Sequence, residues 1–431
     1  MVTDIVTHGG GYVGLTGAVH FAMAGVKVTI YDPDPYTVDS INKGEPRAKE
    51  YLGYINQNVA ELVSKGMLKA TTDFESIRRE KVHLLAVPTE KGDSPDMSIV
   101  KKAIADLMDT LPYGGIIIVE STLQPGTIDS LDSLLLWKLK STDYDWHLAV
   151  APRLDWFADS SKNVSNLPRI VGGVKPASTK KAVEVLSVIC KDIHETDYQS
   201  AEWAKCGQNA AYFVQIMFAH ELALRNDDVD FNEILRLISL HWRIPTLYLG
   251  PGTSGRCVQM GAQYLKAFHT KNRYLHLVEE ALSIDKLWRE KIGKKLTQKF
   301  TFCSDSLSVK ILVMGIAYRP DFSDFGYSAG LDIAKYLKEC DWDVLIHDPI
   351  VPESTLKKVT NIPFSPLNKK FDAILLATGH STYRYLPSDE TLWRKGQFVL
   401  DACGLWEMYR DTFNKYGVEY VRVGEKGWMH K

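Results

Sequence analysis

The sequence predicts an α/β protein of two Rossmann-like, doubly wound parallel-sheet domains joined by a long central helix. Three observations carry this. Short apolar strands alternate with helical stretches at both ends of the chain. Two strand segments recur: KVTIYDP (27–33) is echoed by DVLIHDP (343–349), and VHLLAVPT (82–89) by DAILLAT (372–378). Between the halves, Ala201 to Asn226 holds no proline and one glycine, and from Ala210 to Leu224 it is apolar on almost every side. A helix of about 25 residues spans roughly 37 Å, and one that is apolar all round is expected to be buried on all sides. The expected domains are residues 1–198, a central helical domain with the glycine loop 199–302, and residues 303–431.

Composition narrows the function. The 431 residues are 45% hydrophobic and 24% charged with a formal net charge of −2, so neither nucleic acid nor an anionic membrane is an expected partner. The start, MVTDIVTHGGG, lacks a basic segment and a long apolar run, and no stretch reaches the roughly 18 apolar residues of a membrane span. The six cysteines (190, 206, 257, 303, 340, 403) form no CxxC pair, which argues against a zinc site or a disulfide framework. No metal is expected, and the expected location is cytoplasmic.

In the first half, a strand from Asp4 to His8 runs into Gly9-Gly10-Gly11-Tyr12-Val13-Gly14 and then a helix. Gly9, Gly11 and Gly14 satisfy GxGxxG: the first permits the turn, the second lets a pyrophosphate approach the backbone, the third lets helix pack on strand. Lys27 to Tyr31 is a second strand ending at Asp32, placed to bind the adenosine ribose hydroxyls or, as the alternative, to start the turn before Pro33. Positions 33–36, PDPY, offer no cation for a 2′-phosphate, so NAD is favoured over NADP. Strands 82–87 and 115–119 end in Val87-Pro88-Thr89 and Glu120-Ser121-Thr122, ends that face the cofactor in such sheets. Thr122 is placed either to hold a reacting water or to cap the following turn, 123–127.

On the central helix Lys205 and Asn209 are spaced i,i+4 and share a face. Taken alone, Lys205 also reads as a surface lysine on a frayed first turn. Further on, Gly250-Pro251-Gly252-Thr253-Ser254-Gly255-Arg256-Cys257 reads as a flexible, polar glycine loop ending at an exposed cysteine, a setting that suits a nucleophile beside a cation. An incidental cysteine has the same spacing. Upstream, Arg243 suits an anion or a surface ion pair equally. The second α/β unit starts with the strand 308–314 and has a single glycine, Gly315, at its first turn. That points to the nucleotide of a substrate rather than a tightly held pyrophosphate, the alternative being a purely structural domain.

These motifs together resemble the nucleotide-sugar 6-dehydrogenase family, whose members act on UDP-glucose, GDP-mannose and UDP-N-acetylmannosamine. The likeness runs over essentially the whole chain: GxGYVGL at 9–15, VPT at 87–89, PDxS at 95–98, ST-x-x-PGT at 121–127, AE-x-x-K-x-x-x-N at 201–209, and the glycine loop ending at Cys257. The resemblance implies oxidation of a sugar C6 alcohol to a uronate with two NAD⁺ reduced, through a Cys257 thiohemiacetal and thioester. It assigns Lys205 and Asn209 to developing oxyanions and Thr122 to the water. Tyr12, Val13 and Ser121 join the cofactor set. The resemblance further implies substrate binding by Gly255, Arg319, Lys205 and Asn209, with Arg243 and Tyr248 reaching in from a neighbouring subunit of a homodimer built on the central helix.

The departures bear on the later steps. The family's Glu after Pro is Arg153 here, the Asp four residues after the cysteine is Gly261, and the Pro two residues after it is Gln259. An Arg-Glu pair is missing where Ser323-Asp324-Phe325 continues into Gly326, and a late Arg is Cys403. Loss of a general base costs about 10²–10⁴ in rate. Glu120 and Asp155 are the nearby carboxylates that could stand in. The competing readings are a single two-electron oxidation, action on another nucleotide-linked substrate, and a non-catalytic nucleotide-binding relative.

Overall fold

The computed structural model describes residues 3–46, 56–92, 94–156, 159, 161–225, 227–268, 275–300, 309–367 and 370–429. The expected domain limit at 302/303, the strand start at Ser308 and the helix end at Asn226 lie outside them. The chain forms two compact units, Met1–Gln208 with Gln263–Lys271 and Asn209–Ala262 with Asn272–Lys431.

The first unit runs β1 (Asp4–His8), α1 (Tyr12–Met23), β2 (Lys27–Tyr31), α2 (Pro35–Asn42), α3 (Asn56–Ser64), β3 (Leu68–Thr71) and β4 (Val82–Leu85). A two-residue ribbon, β5 (Glu90–Lys91) and β6 (Ser94–Pro95), precedes α4 (Ser98–Met108), β7 (Ile116–Val119), α5 (Ser133–Lys140) and β8 (His147–Val150). Then come β9 (Arg169–Gly173), α6 (Pro176–Leu186) and β10 (Ile193–Asp197). Eight strands form one sheet in the order β10-β9-β8-β7-β4-β1-β2-β3, parallel except where β8 meets β9. Strands such as β7 (IIIV) are buried at every residue, as parallel strands covered on both faces require. The chain reverses direction across the sheet between β1 and β4, which makes that gap the switch point where ligands of open sheets bind.

Helix α7 (Tyr198–Arg225) runs from the first unit into the second. Lys205 lies two turns inside it and is half-buried, so it is not on a frayed end. The expectation of burial on all sides does not hold for the single chain. Cys206, Ala210, Phe213, Met217 and His220, a stripe at helical spacing, are buried, while Trp203, Tyr212 and Phe218 are exposed. The helix is apolar all round because it carries two apolar faces, and the described residues cover only one.

The second unit adds α8 (Phe231–Ile238), α9 (Arg256–Ala267), which continues into the first unit, and α10 (His276–Gln298). It continues with β11 (Lys310–Met314), α11 (Ala329–Glu339), β12 (Asp343–His347), α12 (Glu353–Leu356), β13 (Ala373–Leu376), β14 (Phe398–Asp401), α13 (Arg410–Tyr416) and β15 (Glu419–Arg422). Its five strands are all parallel in the order β12-β11-β13-β14-β15, with the switch point between β11 and β13. Alternate strand residues feed two cores: Ile311 and Val313 pack with Trp288 and Ile292 of α10, while Leu312 and Met314 pack with Trp406 and Phe413.

Candidate active site

The glycine turn after β1 is shaped by contact distances. Gly9 has φ +99°, and a Cβ there would lie 2.3 Å from the carbonyl oxygen of Ala86. A Cβ on Gly14 would lie 1.9 Å from the Gly9 oxygen, whereas one on Gly11 would meet nothing within 4 Å. Two glycines are therefore required by close packing and the middle one borders open space at the start of α1, where the helix dipole favours a phosphate. Asp32 is half-buried at the end of β2; its carboxylate accepts the Gly10 N–H at 2.7 Å and the Asp34 N–H at 2.9 Å and retains lone pairs for a ribose. These features fit NAD. Tyr12 and Val13 open α1, and Val87 and Pro88 follow β4. Thr89 is buried against the Tyr264 hydroxyl, 2.7 Å away, and Ser121 donates to the Val87 carbonyl at 2.7 Å.

Thr122 is half-buried in the turn after β7. The cap considered for it is made by other groups: Thr127 Oγ1 donates to Gln124 O at 2.5 Å, and Glu202 of α7 accepts the Gly126 and Ile128 N–H groups at 2.8 and 3.0 Å. Burial pushes the Glu202 carboxyl up to about 7 against those two hydrogen bonds.

Arg153 turns inward. It donates to the Val13 carbonyl at 3.0 Å and to Thr16 Oγ1 at 2.8 Å in the first turn of α1, and pairs with Asp155 through Nε at 2.9 Å. Glu120 pairs with Arg169 and lies 3.8 Å from Arg153. Burial alone would raise the Asp155 carboxyl, but the charge and hydrogen bonds of Arg153 hold it below the usual carboxylate range. Both stand-in carboxylates are buried and committed to guanidinium groups, so neither is a free base as the sequence had allowed.

Cys257 is exposed in the first turn of α9. The loop before it is held, not flexible. His220 accepts the Gly250 N–H at 3.3 Å, Trp288 donates to Gly250 O at 2.8 Å, and Asp285 accepts the Thr253 N–H at 2.8 Å. On the other side the Gly255 N–H donates to Gly326 O at 3.2 Å and the Ala329 N–H to Ser254 Oγ at 2.9 Å. Gly255 has φ +93° and lies under the Tyr318 ring, 2.9 Å from a built Cβ. Burial raises the Tyr318 hydroxyl above its ordinary value; Arg319 opposes this, and charge on Asp324 and Cys257 adds to it. Asn209 is half-buried and packs on α9: a Cβ at Gly261 would lie 2.3 Å from that of Asn209. The helices meet too closely here for any side chain at 261, which accounts for the missing aspartate.

Arg319 stacks on Phe322, 3.7 Å from its ring centroid. A Cβ on Gly326 would lie 2.7 Å from Arg256 Nε, so Arg256 fills the space where the sequence lacks an arginine. Cys403 sits on the turn after β14 that buried Asp401 organises by accepting the N–H groups of Cys403, Gly404 and Trp406. At the second switch point Asp348 Oδ2 accepts the Ile316 and Ala317 N–H groups at 2.8 and 2.9 Å and meets His380 Nε2 at 3.1 Å.

Arg243 and Tyr248 are exposed. Arg243 stacks on Trp242, itself 81% exposed, and burial together with Tyr212, which is exposed on α7, raises the Tyr248 hydroxyl above its ordinary value. Sequence reasoning missed Glu202, Asp285, Trp288, Arg289 and Asp348. Glu202 lies in the AE-x-x-K stretch and Asp348 in the DVLIHDP repeat, but neither was given a role; Asp285 and Arg289 carried only their i,i+4 spacing, which a solvated surface pair shares.

Three models described as parts of the UDP-glucose/GDP-mannose dehydrogenase family match the chain: the NAD binding domain over residues 3–192, the central domain over 199–286 and the UDP binding domain over 312–408. A UDP-N-acetyl-D-mannosamine dehydrogenase of Yersinia pestis is 26% identical over 418 residues, 92% of this chain and 97% of its own. The enzyme of that name from Pyrococcus horikoshii is 28% identical over 389 residues, 88% and 90% of the two chains. The solved structure of a UDP-D-ManNAc dehydrogenase from Pyrococcus horikoshii superposes with a TM-score of 0.83 at 25% identity, over 98% of this chain and 100% of that one. Among the described residues, no helix is long and apolar enough to cross a membrane.

Proposed function

The chain belongs to the UDP-glucose/GDP-mannose dehydrogenase family, and from that premise we propose that it oxidises the C6 alcohol of a UDP-sugar to the uronate through Cys257. It is an NAD-dependent nucleotide-sugar dehydrogenase. Bound NAD⁺ supplies the hydride acceptor, twice per sugar. The Cys257 thiolate adds to the C6 aldehyde carbon, forming a C–S bond and an oxyanion that takes up a proton. Loss of the second hydride and that proton leaves a thioester. Water adds to the acyl carbon, the C–S bond breaks, and the sulfur leaves as thiolate. Each sugar consumes two NAD⁺ and one water and releases two NADH and three protons. Lys205 and Asn209 supply an ammonium and an amide to the oxyanions, each donor contributing on the order of 10²–10³ in rate, and Thr122 holds the water. Gly255 and Arg319 bind the substrate.

The observation that carries this reading is the exposed Cys257 in the first turn of α9 at the end of a held glycine loop. A single two-electron oxidation is favoured by a different observation: Arg153, Glu120 and Asp155 are locked together and Gly261 admits no side chain, so no carboxylate of that set is free to activate water.

The open stripe of α7 and the exposed Trp242 and Leu240 support a homodimer through that face, with Arg243 and Tyr248 reaching the partner's substrate. A cytoplasmic location suits a nucleotide substrate and the absence of disulfides among the described residues.

NADH formed per sugar consumed, across UDP-, GDP-, dTDP- and CDP-sugars, tests the reaction. Two NADH per UDP-sugar, with turnover nearly abolished in Cys257→Ala, is expected. One NADH, unchanged in that variant, would sink the uronate reading in favour of a carbonyl product.

A further inference from the structure

We propose that Arg289, with Asp285, is a positioning residue for Cys257. It would hold the glycine loop at the height the nucleophile needs and tie that height to α11. The inference rests on the role proposed for Cys257.

The two residues sit one turn apart on α10 and are both buried. Asp285 Oδ2 pairs with Arg289 Nη2 at 2.5 Å, while its Oδ1 accepts the Thr253 N–H at 2.8 Å. The same Arg289 nitrogen donates to the Thr253 carbonyl at 2.6 Å. One ion pair therefore grips both the N–H and the C=O of a single buried loop residue, four positions before Cys257. Gly252, next in line, has φ +127°, and a Cβ there would lie 3.0 Å from Arg289 Nε and 3.2 Å from Asp285 Oδ1. The loop thus lies flat on the pair, and the glycine is what permits it.

The other guanidinium nitrogen, Nη1, pairs with Asp332 in the first turn of α11. Asp332 is 43% exposed, whereas the Asp285 side chain is 3% exposed. A planar, five-donor guanidinium can make all three contacts at once; an ammonium cannot reproduce that fork. A pair that served stability alone would have no need to spend its donors on loop backbone. Breaking a buried pair leaves a charge uncompensated, so the geometry is held firmly when intact.

The test uses the full-length chain and measures NADH per UDP-sugar, the rate of Cys257 alkylation by iodoacetamide, and NAD⁺ affinity. Arg289→Lys keeps the charge and loses the fork. It is expected to slow alkylation about tenfold and to lower NADH per sugar from two towards one, with free aldehyde trapped by a hydrazine, while NAD⁺ affinity stays within about twofold. Asp332→Asn, at a half-exposed position that keeps the Asp285 pair, guards against a folding failure and is expected to give about a threefold effect in the same direction. If both variants lower only the unfolding temperature, and alkylation and the NADH ratio stay at wild-type values, the pair is structural and the inference is wrong. If Cys257→Ala itself leaves the NADH ratio unchanged, the proposed reaction fails. In that case the alkylation rate still decides whether Arg289 positions the cysteine.

Discussion

After β1 the chain turns at Gly9, where a Cβ would lie 2.3 Å from the Ala86 carbonyl oxygen; after β11 it turns at Gly315, where a Cβ would lie 2.4 Å from that of Thr378. The parallel continues into the helices. Gly14 of α1 rests on the Gly9 carbonyl and Gly330 of α11 on the Gly315 carbonyl, with built Cβ distances of 1.9 and 2.6 Å. Asp32 and Asp348 end the neighbouring strands and both accept N–H groups of the turn. Yet the first turn leads at once into α1, leaving space beyond Gly11, while thirteen residues, 316–328, intervene before α11. At the second turn the protein's own carboxylate, Asp348, takes the two N–H groups that a phosphate would use, and His380 covers it. The intervening segment instead walls the loop that leads to Cys257. One fold thus yields a dinucleotide cradle when the turn is short, and a filled switch point with a wall for the glycine loop when it is long.

The largest expected effects come from the packing glycines. Gly14→Ala and Gly330→Ala each force a methyl into a backbone carbonyl and should cost about 3 kcal/mol, the upper end of overpacking, measured by urea unfolding. Only Gly14→Ala should also remove NAD⁺ binding from the protein that still folds. Reduced NAD⁺ affinity in folded Gly330→Ala would break the comparison.

The acids should separate next. Asp348→Asn weakens a buried acceptor of several N–H groups and should cost about 2–3 kcal/mol with NAD⁺ affinity intact. Asp32→Asn should cost under about 1 kcal/mol in stability and about tenfold in NAD⁺ affinity, read by calorimetry. The reverse pattern would put the dinucleotide at the second turn.

A smaller effect belongs to the histidines beneath the open turn. His8, beside Gly9, and His83 are buried with ring nitrogens 3.0 Å apart. Burial lowers them to about 3 and about 4, and for His8 the neighbouring His83 adds to the drop. Their folded values lie below the unfolded one, so the unfolded chain takes up protons first as pH falls. Stability is full above about 6.5 and is lost as pH falls towards about 4 for His83 and about 3 for His8, by on the order of 1–2 kcal/mol per histidine at pH 5. The unfolding temperature of wild type should fall between pH 7 and 5, and less steeply in His83→Asn. Parallel profiles would contradict the assignment.

Much of this was legible in the sequence where spacing is local. GxGxxG before a helix, and an acid ending the next strand, fix the first cradle within a few residues. The second turn was harder because Gly330 does the work of Gly14 fifteen residues after its turn instead of five, a correspondence that exists only once α11 has packed. The glycine loop read as mobile because the groups that hold it, His220, Asp285 and Trp288, lie on two distant helices. The open face of α7 was hidden for another reason: apolar residues that pack in a core and those left exposed have the same composition. Arg153 was visible as a departure, but its partners Val13 and Thr16 lie far away in sequence.

The central claim is that the first turn alone is the dinucleotide site, and titration of NAD⁺ into Gly11→Asp tests it most directly. A side chain at Gly11 meets nothing within 4 Å and an aspartate is a good N-cap for α1, so the variant should fold at least as well as wild type. Its carboxylate would stand in the space and charge of the pyrophosphate. One NAD⁺ per chain in wild type and none in Gly11→Asp is the predicted result. Undiminished binding in the variant, or two equivalents in wild type, would contradict the account.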